Sequence, residues 1–132
     1  MSDTATFNGV ALGDDVVRMW VEVQRAVQPS VLSGVHRKDA LLSDDSPNVF
    51  YAINLIVHKR ASSMVDAARW TLSIGDLMRV GPQTLVVTTS GGTMTAVDAT
   101  LVGPVSPPQN DQANPAIVDR LHMVFHAATR PR

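Results

Sequence analysis

The sequence predicts an α+β domain, a small antiparallel sheet with helices packed on it. Three observations carry this expectation. Residues 48–58 alternate in polarity, Gly91-Gly92 separates two β-prone runs, and Asn114-Pro115 opens a stretch with apolar residues at helical spacing.

Residues 1–13 (MSDTATFNGVALG) read as a polar arm with two glycines. Asp14 or Asp15 then caps a helix over residues 16–27. Asp15, Arg18, Glu22 and Arg25 share one face of it, and Val16, Trp20, Val23 and Val27 the other. A strand competes, because Val17, Met19, Val21 and Val23 alternate with Arg18, Trp20, Glu22 and Gln24. Residues 28–47 hold no period and read as a connection.

Residues 48–58 form the clearest strand. Val49, Tyr51, Ile53, Leu55 and Val57 make one apolar face, and Phe50, Ala52, Asn54, Ile56 and His58 a mixed one. Ser63 to Asp66 is a capping-box variant that opens a helix from Met64 to about Ser73, with a strand over residues 69–74 as its competitor because Trp70, Leu72 and Ile74 also alternate. Met64, Ala67, Ala68 and Leu72 are its predicted inner face. Strands 84–90 and 93–102 pair across a glycine turn, with Val87 opposite Ala96. Residues 103–115 carry four prolines and read as an irregular loop.

The last element is a predicted helix over residues 115–128. Asn114 is a favoured N-cap, Pro115 suits the first helical position, and Asp119 lies near the positive end. Ile117, Val118, Leu121, Val124, Phe125 and Ala128 make its apolar stripe. A strand reading also exists, with Leu121, Met123, Phe125 and Ala127 alternating against Arg120, His122 and His126. Residues 129–132 are a tail, so the organisation is an arm at 1–13, one domain at 14–128 and the tail.

Composition narrows the function classes. With 132 residues, 45% hydrophobic, the chain is long enough for one real core. The net charge of −1 gives no global pull towards nucleic acid or membrane. Absence of cysteine removes thiol catalysis, cysteine zinc sites and disulfides. No signal peptide or spanning segment is legible, so a cytoplasmic product, or one held in an assembled particle, is expected.

Candidate chemistry is sparse. His122 and His126 stand at i, i+4 and could share a metal on a helix, although the expectation is that they bind none. Asp98, inside a strand, could serve as a general base if buried, paired with His58 or His122. His36-Arg37-Lys38 and His58-Lys59-Arg60 would make a phosphate-binding patch of Arg37, Lys38, Lys59 and Arg60 if the fold joins them. Neither a dinucleotide fingerprint, a P-loop nor a G-x-S-x-G elbow is present. No cofactor is expected.

Two functions remain in view. The first is a structural subunit of a homo-oligomer or larger particle, gripping neighbours with its arm and proline loop. Small viral and phage structural proteins share that build, by analogy of architecture only. On this reading, truncating residues 1–13 spares the core and weakens assembly. The second is a small enzyme or ligand-binding protein with a pocket between sheet and helices, lined by Tyr51, Trp70 and Phe125, with Asp98 or His122 as its polar group.

Overall fold

Strand 49–60 anchors the sheet, as its alternation requires. In the computed structural model, residues 3–25, 49–103, 109–111 and 114–132 are described. Their strands are β1 (Thr4–Phe7), β2 (Val10–Ala11), β3 (Asp15–Arg25), β4 (Val49–Arg60), β5 (Gln83–Thr89), β6 (Gly92–Leu101), β7 (Gln109–Asp111) and β8 (Asn114–Ala127). One helix, α1 (Met64–Asp76), runs into a short 3₁₀ turn at Leu77–Arg79.

The architecture is therefore mainly β, and the α+β expectation is corrected. The sheet order is β2-β1-β5-β6-β8-β4-β3, with β7 beside β8. The pairings are antiparallel. β3, at one end of this path, comes back to the start of β1, where the Val16 N–H donates to the Asp3 carbonyl at 3.1 Å. The sheet thus curls round a single core, in which Phe7 of β1 meets Phe125 of β8 at 5.1 Å between ring centroids.

Of the three predicted helices with strand competitors, the one from Met64 is a helix and the other two are strands. In β8, Leu121, Met123, Phe125 and Ala127 are buried, while Ala128, which the helical stripe would have buried, is exposed. The helix reading of 115–128 rested on Asn114-Pro115. The Asn114 side-chain oxygen does accept a backbone N–H, from Ala116 at 3.1 Å. That bond closes a local turn and starts no helix. For residues 14–27, pairing with β4 from Asp15 to Arg25 decides the matter, and the valines suit a pleated surface better than a helical one.

Residues 3–12 are not an arm. Ala5, Phe7 and Leu12 are buried in the core. Asn8 (φ 53°) and Gly9 (φ 77°) form the tight connection from β1 to β2, and both positive φ values mark the primed hairpin turn that Asn-Gly favours. The tail is held by its own chain as well, since Thr95 and Arg132 exchange backbone hydrogen bonds of 2.8 and 2.9 Å. Within the supposed proline loop, Gln109–Asp111 pairs with β8. The 28–47 connection lies outside the described residues.

The glycine hairpin forms, but its register is two residues from the predicted one. Val87 faces Met94, and Leu85 faces Ala96. The connecting residues are Ser90 and Gly91, and Gly92 opens β6 at φ 135°. A register irregularity between Gln83 and Leu85 lets Ala96 and Ala99 both reach the core. Gly92→Val should destabilise by about 1 kcal/mol, because a β-branched residue resists positive φ. Urea titration of the variant against the native chain checks this.

Helix α1 forms as the capping box requires, with Ser63 Oγ accepting from the Asp66 N–H at 3.1 Å. Its inner face differs from the predicted one. Ala67 and Ile74 are buried and Trp70 packs against the core. Met64 and Leu72, expected inside, are 61% and 70% exposed.

Candidate functional site on the outer face of the sheet

Alternation gives β3, β4 and β8 an inner face in the core and an outer face that carries most of their polar and aromatic groups. Arg18, Trp20, Glu22 and Gln24 of β3 share that outer face with Asn54 of β4 and His122 of β8. Asn54 is the one buried polar side chain among the described residues. Its Oδ1 lies 3.0 Å from His122 Nε2. An amide oxygen can only accept, so Nε2 carries the proton and donates.

Trp20 leans over this pair, its ring 5.6 Å from the His122 ring. The Arg18 guanidinium sits 4.8 Å from the Trp20 ring centroid, a cation–π distance. Trp20 Nε1 donates to Glu22 Oε1 at 3.2 Å, and Gln24 Nε2 donates to Glu22 Oε2 at 3.1 Å. The result is a linked polar and aromatic row along β3. Sequence reasoning passed over it, although the alternation of Arg18, Trp20, Glu22 and Gln24 was its legible sign.

His126 belongs to a separate place. Its ring packs on Phe50 at 4.8 Å. Both line an open groove of about 470 Å³, with Pro82, Asp98, Thr100 and Val102. On a strand, His122 and His126 stand about 13 Å apart at roughly 3.3 Å per residue. The shared-metal geometry needed a helix and is absent. Among the described residues no group of three His, Cys, Asp or Glu could hold a metal ion.

Asp98 serves the tail. Its carboxylate accepts from the Thr129 N–H at 3.3 and 3.2 Å and from Thr129 Oγ1 at 3.0 Å. The structure brings it to His126's groove and shows no bond from it to His58 or His122. The pairing of Thr100 with His126 explains this, because it fixes which end of β8 lies beside Asp98.

The basic patch is half visible. Arg37 and Lys38 lie outside the described residues. Lys59 Nζ pairs with Asp14 Oδ1 at 3.3 Å, and the Arg60 N–H donates to Asp14 Oδ2 at 2.8 Å. Burial pushes the Asp14 carboxyl up. The Arg60 N–H, the Lys59 hydrogen bond and charge, and His58 together outweigh it and hold Asp14 below its ordinary value. A depressed carboxyl stabilises the fold above the unfolded value near 4 and loses that contribution as pH falls through the folded value. The stability gap between the native chain and Asp14→Asn should therefore be present at about pH 6 and close towards about pH 2. Denaturant titrations at the two pH values read it directly.

No helix among the described residues is long and apolar enough to cross a membrane. Comparison with protein-family models, curated proteins and solved structures finds no match for this chain.

Proposed function

We infer that this chain is a structural subunit that assembles with further copies of itself, as a homo-oligomer or as part of a larger particle. The supporting observation is the second apolar face of α1. Ala67, Trp70 and Ile74 turn to the core, yet Met64, Val65 and Leu72 stand 61%, 55% and 70% exposed. Ala68 and Gly75 lie on the same outward stripe. A helix apolar on both sides is characteristic of one buried on both sides, and a contiguous exposed apolar strip marks an association surface.

The groove beside His126 gives less support to an enzyme. It lies on the outer face of the sheet, not between sheet and helix, and Asp98 in its wall is already engaged by Thr129. Phe125, proposed as pocket lining, is fully buried against Phe7. With Lys59 paired to Asp14, nucleic-acid contact is not part of this reading.

Leu72→Asp is the test. The residue contributes little to the folded single chain, so the circular dichroism spectrum and unfolding midpoint should hold. The mass in solution should fall by at least one assembly step. An unchanged mass would remove α1 from the assembly surface.

A further inference from the structure

The outer edge of β3 is long and, among the described residues, carries no partner strand. β3 ends the sheet path and pairs β4 from Asp15 to Arg25. On its other side the structure shows one backbone bond, from Val16 to Asp3 at its first turn. Unpaired edges of this kind template further strands, and proteins that remain monomers normally blunt them with like charge, proline or a cover. One bulge lies at the start of the strand, between Val16 and Arg18, and the regular stretch beyond it, Arg18 to Gln24, contains neither proline nor an excess of one charge sign.

The order of side chains here is chemically palindromic. Reading Val17-Arg18-Met19-Trp20-Val21-Glu22-Val23 outward from Trp20, Met19 matches Val21, Arg18 matches Glu22 and Val17 matches Val23. A twofold antiparallel pairing places residue i opposite residue j and j opposite i. Side chains keep their faces only if the even-numbered outer residues meet even-numbered ones. Of the registers that satisfy this, centring on Met19 sets Arg18 against Trp20, and centring on Val21 sets Trp20 against Glu22. Centring on Glu22 sets that carboxylate against its own copy. Only the register centred on Trp20 pairs each charge with its opposite, twice.

We propose that β3 pairs antiparallel with β3 of a second copy, with Trp20 on the twofold axis, joining two sheets into one. The proposal rests on the assembly reading above but uses a different surface. The occupant follows from charge complementarity: Arg18 meets the second copy's Glu22, and Glu22 meets its Arg18. On the inner face, Val21 and Val23 are 37% and 65% exposed beyond the reach of the core. The same register sets Met19 of the second copy against Val21, beyond the bulge that interrupts alternation between Val16 and Arg18. With α1 on another surface, each subunit then has two contacts, which suits a ring or an extended assembly.

Charge reversal with rescue tests this on the full chain. Arg18→Glu or Glu22→Arg alone creates two like-charge contacts across the axis, and should weaken the dimerisation step about tenfold or more. The double variant R18E/E22R restores the opposite pairing and should restore the native mass. A second readout uses the absence of native cysteine. Trp20→Cys should form a disulfide-linked dimer under mild oxidation, because residue 20 faces its own copy. Val23→Cys should not, since it would stand about 20 Å from its copy at roughly 3.3 Å per residue. If the native chain is oligomeric while the reversals leave its mass unchanged and the Trp20→Cys variant fails to cross-link, the β3 register is overturned and the α1 contact stands. A native chain that is monomeric throughout overturns both. Loss with the single reversals, rescue by the double variant and selective cross-linking at residue 20 would establish it.

Discussion

Phe7→Ala should destabilise the chain by about 3–5 kcal/mol, the range for emptying a fully buried aromatic site. Phe7 is 0% exposed and packs on Phe125 across the core. A domain of this size holds a total of about 5–15 kcal/mol, so one substitution removes a large part of it. Deleting residues 1–12 goes further. It removes β1, β2 and the buried Leu12, and strips β5 of its pairing from Leu85 to Thr88. The truncated chain should show no cooperative thermal transition. An arm that served only assembly would leave folding intact, so a truncated chain with a native transition would contradict the place of β1 in the core.

Gly13→Ala is the second large effect, expected at about 2–5 kcal/mol. Gly13 lies at φ 86°, and a Cβ there would stand 2.9 Å from the His58 carbonyl oxygen and 3.1 Å from Val57 Cβ. The close approach is built in, because the Asp14 N–H donates to that same carbonyl at 2.8 Å. The backbone conformation contributes about 1–2 kcal/mol and the collision with β4 about 1–3 kcal/mol. Gly9→Ala separates the two causes. Gly9 has φ 77° with nothing within 4 Å of an added Cβ, so only the conformational part, about 1 kcal/mol, should appear. Equal losses at the two sites in urea titrations would rule out the collision.

Local chemistry was legible where one signal spoke alone. The alternation of β4, the cap of α1 and the existence of the glycine hairpin, though not its register, each follow from a few neighbouring residues. The errors arose where two periods fit one stretch. Residues 16–25 and 117–127 satisfy both a helical stripe and strict alternation, and only pairing with β4, distant in sequence, selects the strand. Misreading β8 carried into the site, since helical spacing is what had joined His122 to His126. The Asn8-Gly9 turn was legible and was passed over because the residues around it looked polar. The outward face of α1 was not legible, because the periodicity of Met64, Ala68 and Leu72 cannot say which apolar side a helix turns inward.

Assembly is the central claim, and the molar mass of the unmodified chain tests it most directly. Multi-angle light scattering over a dilution series should give a defined multiple of the single-chain mass, lowered in Leu72→Asp at unchanged fold. A native chain with the mass of one copy at every concentration would contradict the account.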